Sequence, residues 1–393
     1  MEYKRIEEFT TVVTGGTPST AKSEYWDGGV IPWLQSGCCQ NCDVDKTEKY
    51  ITQEGYDNSS TRMMPLNTVM IALTGATAGK VGYLKFEACG NQSITGILPC
   101  DSINQRYLFY YLLSQREKIL TDCVGGAQAH ISQGYVKNIK VPVLSLSEQE
   151  KIVEVLTKLS DVISKRQGEI NALDNLIKAR FVEMFGDVKI NPHKYKKNSI
   201  KSVLKTCEAG WSGNGTQRIR KDDEIAVLKV SAVTKGYFIP EECKVLDDQE
   251  NIKKYVTPEK GDLLFSRANT REMVGATAIV KEDYPSLILP DKLWKIKFRD
   301  NVNVFYMKYV LSSKSVRNQF SVVSTGTSGS MYNVSMDKFK AIEVPLPPIE
   351  LQNQFADFVN QVDKSKVAVQ INKDTTQELL IIYIFIINKY YYK

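Results

Sequence analysis

The hexapeptide SRANTR at residues 266–271 is the stretch whose residue types are best suited to reading nucleic-acid bases. It places Arg267, Asn269 and Arg271 within five residues. A guanidinium group can pair with the O6 and N7 atoms of guanine, and a carboxamide can pair with N6 and N7 of adenine. The sequence therefore predicts a base-reading loop at this position. An exposed loop carrying an ordinary surface salt bridge is the alternative.

Polar and glycine-rich loops elsewhere in the chain carry further candidates for contact with a nucleic acid. Turn amides, hydroxyls and a lysine can hold phosphates, and amide side chains can pair with adenine. These candidates are Gly15, Gly16, Thr17, Ser19, Thr74, Thr77, Lys80, Asn91, Gln92, Gln128, Ser132, Ser330 and Asn333. The alternatives are a plain β-turn at residues 15–19, a solvated Lys80 and loop-stabilising roles for Asn91 and Gln92.

Residues for catalysis or metal binding do not assemble into a recognisable motif. The chain has 2 histidines, His130 and His193, and they support no Ser-His-Asp arrangement. The segment GATAGKV, residues 75–81, is one residue short of a phosphate-binding loop and lacks the Ser or Thr after lysine. Cys39 and Cys42 have CxxC spacing, without the second pair that a zinc site needs. We expect neither a catalytic residue nor a metal ligand.

The composition is that of a folded protein with a mild excess of positive charge. Of 393 residues, 42% are apolar and 24% charged, and the net charge of +6 permits a polyanionic partner. The 8 cysteines are scattered and no signal peptide opens the chain, so we expect a reducing cytoplasm. No apolar run reaches the ~18 residues of a membrane span, and we expect no membrane association. The longest run, LLIIYIFII at residues 379–387, is too short.

A long internal repeat organises the chain. IKVPVLSLSEQEKIVEVLTKL at residues 139–159 returns as IEVPLPPIELQNQFADFVNQV at residues 342–362, with prolines and Gln149 and Gln352 in register. The match extends upstream through a glycine-rich loop and a short helix predicted at residues 104–120. Each copy has short strands broken by glycine turns, then helix, loop and strand. The repeat therefore predicts two domains of one kind.

Each copy ends in a helix whose apolar spacing indicates a helical partner. The first helix is predicted to begin at Ser147 as its capping residue, and to reach Phe185 over roughly 55 Å at 1.5 Å per residue. The residues predicted to pair the helices are Ile152, Val155, Leu156, Leu159, Val162, Ile163, Ile170, Leu173, Phe355, Phe358, Val359 and Val362. A core helix of a globular domain is the alternative.

Chain connectivity then predicts the architecture. The second helix can cover the first only by running back along it, so the two are antiparallel and relate the copies by an approximate twofold axis. The predicted fold class is mixed α/β (α+β): two similar recognition domains joined by two long antiparallel coiled-coil helices. The predicted domains are residues 1–146 and 186–347, and the helices are residues 147–185 and 348–393. Two similar domains suit DNA recognition, because two half-sites one helical turn apart present the same groove to one face of the DNA, at a spacing of ~34 Å.

The chain resembles the specificity subunit of type I restriction-modification enzymes. The matching motifs are GGTPST and IPWLQSG within residues 15–37, TGATAGKVGY (74–83), NQSI (91–94), the strand-to-helix signature from residue 139, and LIKARFVEMFGD (176–187). The resemblance implies a non-catalytic subunit in which each domain reads half of a bipartite, asymmetric site on double-stranded DNA. It implies that the helices set the gap and dock two methyltransferase subunits, with restriction-motor subunits completing the complex. This chain then binds no cofactor, and S-adenosylmethionine, ATP and Mg belong to the partner subunits.

Two departures from the family pattern stand out. AGWSGNGTQ (209–217) and FSRANTREMVG (265–275) replace the corresponding loops of the first copy, as suits a domain that reads another sequence. The apolar tail from residue 379 interrupts an amphipathic helix, and a frame change in the gene is one hypothesis for it. Two other functions stay open: a stand-alone DNA methyltransferase or nuclease, and an adaptor with two protein-binding heads.

Overall fold

The computed structural model describes residues 2–122, 131–221, 224–323 and 332–390. The chain forms two compact units, one made of Met1–Gly168 with Gln370–Lys393 and the other of Glu169–Val369. Each unit contains one copy of the sequence repeat together with parts of both long helices. The predicted fold class, two similar mixed α/β domains with two long helices, is confirmed. The exact domain limits given above stay a prediction.

The first unit is built on a five-stranded sheet. Its strands lie in the spatial order Val12–Thr14, Ile94–Ile97, Val69–Ala72, Val81–Leu84 and Cys42–Val44, with antiparallel pairing except for the last, parallel pair. The remaining strands are Glu2–Arg5, which pairs with Lys140–Val143, and the small sheet Tyr50–Ile51, Ile31–Leu34 and Cys89–Gly90. The shorter helices are Ile6–Phe9, Gln53–Asp57, Gln105–Ser114, Arg116–Asp122 and Gln133–Asn138.

The strand Val69–Ala72 lies at the centre of this sheet because all four of its side chains are apolar and buried. The helix Gln105–Ser114 packs on it. Asn104 begins that helix, since its side chain accepts hydrogen bonds from the first free backbone N–H groups. The single helix predicted at residues 104–120 is wrong: the chain breaks at Gln115 and continues as a second helix, Arg116–Asp122.

The second unit repeats this plan with different lengths. Its main sheet has the order Leu204–Ala209, Leu293–Phe298, Leu263–Ser266 and Thr277–Ile279, all antiparallel. The other strands are Gly215–Thr216, Cys243–Leu246, Ala226–Leu228 and Leu287–Ile288 in one sheet, Lys197–Ser199 with Glu343–Pro345, and Ala268–Asn269 with Tyr332–Asn333. The shorter helices are Ile200–Val203, Val304–Ser312, Lys314–Val323 and Met336–Ala341.

Equivalent hydrogen bonds show that the two copies share one internal structure. Gln149, fully buried, accepts from the N–H of Asn104, and Gln352, also fully buried, accepts from the N–H of Asn303. Each amide also donates to a carbonyl just before its own helix, that of Leu144 or of Pro347. The glutamines that are in register in the sequence therefore make the same buried link between the long helix and a shorter one.

The long helices extend over Leu146–Phe185 and Ile349–Tyr390. The first helix begins one residue earlier than predicted, because Ser145 and not Ser147 is its capping residue. The Ser145 hydroxyl accepts from the N–H of Glu148, and the Glu148 carboxylate accepts from the N–H of Ser145 at 3.0 Å. This reciprocal pair is a capping box, which satisfies two otherwise unpaired backbone donors.

The helices run antiparallel within each unit. In the second unit, Ile177, Phe181 and Phe185 share a core with Phe355, Val359 and Val362. There the Lys366 ammonium group lies 2.6 Å from the Asp174 carboxylate. In the first unit, Lys373 donates to Gln167 at 2.7 Å, and Ile384 packs in the core that contains Ile152 and Leu156. Residues near the end of the first long helix therefore contact residues near the start of the second, and the reverse, as antiparallel helices require.

The predicted pairing residues differ in burial. Val155 and Val162 are 36% and 40% exposed, whereas Ile152 and Leu156 are buried in the first unit's core. The pairing of Val155 and Val162 with the second helix stays a prediction.

The apolar tail continues the second long helix. Ile384 is buried against the first unit's core, where Leu380 and Tyr383 also pack, whereas Leu379, Ile381 and Ile382 are more than half exposed. Among the described residues, no helix is long and apolar enough to cross a membrane. The frame-change hypothesis stays untested.

Candidate nucleic-acid interface

The second unit brings together two loops that the sequence analysis singled out separately. Asn269, in the strand Ala268–Asn269, pairs antiparallel with Tyr332, and Ala268 pairs with Asn333. The N–H of Val334 continues this link by donating to the carbonyl of Arg267 at 2.9 Å. The predicted candidates Arg267, Asn269 and Asn333 therefore lie at one site. Arg271 comes next on the same loop and is exposed.

The Arg267 side chain is positioned by its backbone and left with spare donors. Its N–H donates to the carbonyl of Lys292 at 3.0 Å, which fixes the residue at the end of the strand Leu263–Ser266. Its Nε atom is buried and, within the described part of the chain, has no hydrogen-bond partner. Arg267 also makes no ion pair there. The alternative of a surface salt bridge is therefore not found at Arg267 among the described residues.

The first unit has the same backbone arrangement with a different side chain. The N–H of Ile131 donates to the carbonyl of Leu73 at 2.9 Å, and the N–H of Leu73 donates to the carbonyl of Ser93 at 2.9 Å. Leu73 therefore occupies the position of Arg267. The next residue, Thr74, donates through its hydroxyl to Ser93 at 2.9 Å, which leaves it half-buried. The second unit thus has a partly exposed arginine at the position where the first unit has a leucine buried in its core.

Lys80 and Thr77 lie on the turn immediately after Thr74. The tight turn depends on Gly79, whose φ of +71° is strained for other residues. Its equivalent in the second unit is Gly275, with φ of +80°. The Lys80 ammonium group donates to Gln40 at 2.7 Å and is partly exposed, so it keeps donors for a phosphate.

The expectation of free amides at Gly15 and Gly16 is wrong. The Gly15 N–H donates to the Ile94 carbonyl at 3.1 Å, and the Gly16 N–H donates to the Gly90 carbonyl at 2.8 Å. Both glycines are buried, and a Cβ at Gly15 would lie 2.1 Å from the Gly90 oxygen. Glycine is required here for close packing, not for holding a phosphate. Trp33 is buried and donates to the Gly16 carbonyl at 3.0 Å.

Thr17 and Gln92 form an exposed pair at the edge of this turn. The Thr17 hydroxyl donates to the Gln92 carboxamide oxygen at 2.5 Å. Ser19 is exposed, and its carbonyl accepts from the Trp26 indole at 3.1 Å. Asn91 points inward, where its side chain accepts from the N–H of Ser93 at 3.2 Å. The loop-stabilising alternative is therefore the better description of Asn91.

The second unit contains an equivalent pair that the sequence analysis missed. Ser212 donates through its hydroxyl to the Asp291 carboxylate, and the Asp291 N–H donates back to the Ser212 oxygen at 3.3 Å. Ser212 lies in the divergent loop at residues 209–217, and Asp291 lies in the turn before the strand Leu293–Phe298. Low sequence similarity hid them. The one usable signal was that the divergent segment occupies the place of GGTPST in the repeat.

Ser132 acts as a helix cap. Its hydroxyl accepts from the N–H of Tyr135 at 3.0 Å, as Ser335 accepts from Lys338 at 3.3 Å in the second unit. This structural role accounts for the serine without a nucleic acid. Two other predicted residues, Gln128 and Ser330, lie outside the described residues.

Titratable clusters do not suggest a catalytic or metal centre. In residues 2–122, 131–221, 224–323 and 332–390, no three His, Cys, Asp or Glu side chains are grouped to hold a metal ion. A group of buried and half-buried charges lies in and beside the second unit's sheet, where Lys295 is 3.3 Å from Asp262 and 3.1 Å from Glu259. Burial raises the pKa of Asp262, against the lowering effect of the Glu259 N–H and the two lysines. This cluster is structural, since Asp262 has no exposed surface.

Comparison with known proteins identifies one family over most of the chain. Residues 1–175 and 192–380 match the family model described as Type I restriction modification DNA specificity domain. The chain is 33% identical over 163 residues to the EcoR124I/EcoR124II specificity subunit of Escherichia coli, which is 40% of each protein. It is 23% identical over 384 residues to the EcoKI specificity subunit of E. coli K12, covering 91% of this chain and 81% of that one.

The similarity to the MjaIX specificity subunit of Methanocaldococcus jannaschii is 29% over 216 residues, 53% of this chain and 49% of the relative. The chain thus matches less than half the length of this relative and of the EcoR124I/EcoR124II subunit. The crystal structure of a type I restriction-modification S subunit from M. genitalium shares the fold. Its TM-score is 0.50 at 13% identity, over 98% of this chain and 94% of that one.

Proposed function

Because the chain belongs to the family of type I restriction modification DNA specificity domains, we propose that it recognises the target sequence of a type I restriction-modification complex. Each unit reads one half of a bipartite, asymmetric site on double-stranded DNA. The chain carries no catalytic residue of its own. Cleavage and methylation belong to other subunits of the complex.

One observation carries this proposal: the two units keep the same backbone arrangement but differ in the side chains at equivalent positions. Leu73 and Arg267 have the same backbone hydrogen bonds, yet Leu73 is apolar and buried, whereas Arg267 is a partly exposed cation that we propose reads a base. The two hydroxyl pairs also differ in charge, because Thr17 donates to the neutral carboxamide of Gln92 and Ser212 donates to the carboxylate of Asp291. A scaffold that is preserved while its polar surface changes is what two readers of different sequences require.

The residues proposed to contact DNA lie on the loops described above. In the second unit, Arg267 and Asn269 suit guanine and adenine, and Arg271 and Asn333 lie beside them. In the first unit, the proposed residues are Thr17, Ser19, Gln92 and Thr77. Lys80 suits a phosphate. The side chains of Thr74, Asn91 and Ser132 have structural partners, so their contacts with DNA would have to be made in addition to these bonds.

The partners are proposed from the family. Relatives are named as specificity subunits of type I restriction enzymes, and on that basis this chain assembles with two methyltransferase subunits and, through the complex, with restriction-motor subunits. S-adenosylmethionine, ATP and Mg are then cofactors of those partners, and the complex acts in the cytoplasm. The two long helices supply the surface for the methyltransferase subunits and set the gap between the half-sites.

Two alternative functions predict different experimental results. A stand-alone methyltransferase would transfer methyl groups from S-adenosylmethionine as the purified chain alone. A two-headed protein adaptor would show no salt-dependent DNA binding even with its partners present. Neither is favoured by a specific observation in the described residues.

Methylome sequencing tests the proposal directly. Cells that express this chain with its methyltransferase partner should methylate adenines at one bipartite motif, and cells with the partner alone should not. Exchanging residues 206–325 for those of a relative should then change one half of the motif and leave the other half intact. A change in both halves would reject the assignment of one unit to each half-site.

A further inference from the structure

The corner formed by Thr17 and Gln92 in the first unit has a structural equivalent in the second. The Gly16 N–H donates to the Gly90 carbonyl at 2.8 Å, and the Trp211 N–H donates to the Leu289 carbonyl at 2.9 Å. In both units, the hydroxyl residue comes directly after the donor, and its partner lies two residues after the acceptor. Ser212 and Asp291 therefore stand where Thr17 and Gln92 stand.

The corner is joined directly to the position of Arg267. Asp291 precedes Lys292, whose carbonyl accepts from the N–H of Arg267 at 3.0 Å. In the first unit Gln92 precedes Ser93, whose carbonyl accepts from the N–H of Leu73 at 2.9 Å. Each corner thus lies beside the loop that we propose reads bases.

The hydroxyl in each pair orients its partner and leaves one polar atom unused. Thr17 occupies the Gln92 carboxamide oxygen, and Ser212 occupies one carboxylate oxygen of Asp291. For the residues that the structure describes, Nε2 of Gln92 and Oδ2 of Asp291 have no hydrogen-bond partner. An oriented side chain with a spare donor or acceptor is suited to a base edge, because little rotational freedom is lost on binding.

The two corners differ in what they can recognise. The carboxamide oxygen of Gln92 has a second lone pair beside the one that Thr17 uses, so Gln92 can still accept from N6 of adenine while its Nε2 donates to N7. A carboxylate only accepts and is repelled by phosphates, so it suits the amino group of a base and not the backbone. Arg267 next to it can take a guanine, and Asp291 can accept from the N4 amino group of cytosine.

Resting on the proposed function, we infer that Gln92 and Asp291 each set the identity of one base pair, one in each half of the target. Gln92 reads an adenine in the half-site of the first unit. Asp291 reads a base with an exocyclic amino group in the major groove, cytosine or adenine, in the half-site of the second unit. Thr17 and Ser212 act as positioning residues that hold these two side chains.

The test is methylation of a duplex library, with every position of the bipartite target randomised in turn, by the full chain assembled with its methyltransferase partner. Asp291→Asn should reduce discrimination at one base pair of one half-site by on the order of 10- to 100-fold and leave the other half unchanged. Gln92→Glu should do the same at one base pair of the opposite half-site. Ser212→Ala should weaken discrimination at the base pair affected by Asp291→Asn.

Asp300→Asn is the matched control. Asp300 is exposed and lies just after the strand Leu293–Phe298, whereas Asp291 precedes it. The control removes the same charge at the opposite end of one strand, and it should leave both half-sites unchanged. Thermal unfolding of each variant identifies a loss of folding, and Ser212→Ala provides an independent substitution at the same corner.

Three results would overturn the inference: unchanged discrimination in Asp291→Asn, a change in both half-sites in that variant, or an effect of Gln92→Glu in the half-site that Asp291→Asn alters. The wild-type chain distinguishes this failure from failure of the proposed function. If the wild type methylates no bipartite motif, the proposed function and the inference fall together. If it does so while the corner variants behave like Asp300→Asn, the inference alone falls.

Discussion

The carbonyl of Arg267 accepts a hydrogen bond from the N–H of Val334 at 2.9 Å, although the two residues are far apart in the chain. The equivalent bond in the first unit joins Leu73 to Ile131 at the same distance. One backbone link therefore holds an arginine in one unit and a leucine in the other. The leucine is buried in the core of the first unit, whereas the arginine is partly exposed, so Arg267 is the residue at which recognition can be tested.

Arg267→Ala should relax specificity at one base pair of a single half-site, at a cost of ~1–3 kcal/mol, because it removes a bidentate contact to guanine. Arg267→Lys should restore general affinity but little of the discrimination, since an ammonium group lacks the planar fork of the guanidinium. Competition binding with single-base variants of the target measures both effects. Equal losses in the two half-sites would mean that Arg267 has a structural role.

Lys80→Ala should weaken binding to all DNA sequences alike and lower the slope of log K against log salt by about one unit, because one phosphate contact is lost. Lys46→Ala is the control. Lys80 precedes the strand Val81–Leu84, and Lys46 lies beyond the far end of the strand paired with it. Binding titrations at several salt concentrations give the slopes. An unchanged slope in Lys80→Ala would rule out this phosphate contact.

Lys295→Met should destabilise the second unit by about 3–5 kcal/mol at neutral pH, because it leaves the fully buried Asp262 carboxylate without its nearest cation. Lys295→Met combined with Asp262→Asn should recover part of the loss, since the unpaired charge is then gone. Urea unfolding of the full chain measures both. Equal stability of the single and double variants would show that the charge on Asp262 does not matter.

The same pair gives an expected pH dependence. Burial raises the pKa of Asp262 above its ordinary value of 3.8, so the folded state holds the proton more tightly than the unfolded state. The stability contributed by protonation is present below 3.8 and is lost as the pH rises through the raised pKa. Removing Lys295 removes a cation that opposes this shift. The destabilisation by Lys295→Met should therefore be smaller near pH 4 than at pH 7.

A four-residue insertion tests whether the first long helix sets the gap between half-sites. Repeating LTKL, residues 156–159, after Leu159 lengthens the helix by ~6 Å and rotates its C-terminal part by one turn plus about 40°. Pairing with the second helix should survive with local distortion. The methylated motif should keep both half-sequences and gain one or two base pairs in its gap, at 3.4 Å each.

A three-residue insertion is the control for this prediction. It rotates the apolar stripe by about −60° and should impair assembly, because the buried residues no longer meet the second helix. Methylome sequencing reads the gap length in each case. Full methylation of the original motif by the four-residue variant would mean that the helix does not set the gap.

The sequence by itself determined the large-scale organisation. Gln149 and Gln352 occupy the same position in the internal repeat, and the prolines that flank them are also in register. This repeat predicted two copies of one fold, and both glutamines make the same buried hydrogen bonds. The heptad spacing predicted two long helices. Such patterns are local and periodic, so they can be read directly from residue order. The resemblance to the type I specificity subunits is confirmed by the family match.

The tertiary structure decided which polar residues are available. The turn pattern predicted free N–H groups at Gly15 and Gly16, but carbonyls of distant residues accept from both. Asp291 and Ser212 could be identified as candidates only from the structure, because they lie on separate loops that come together beside Arg267. Packing also decided that Leu156 is buried and Val155 is exposed. Exposure and hydrogen-bond partners depend on contacts between residues that are far apart in the chain, and no local pattern in the sequence records them.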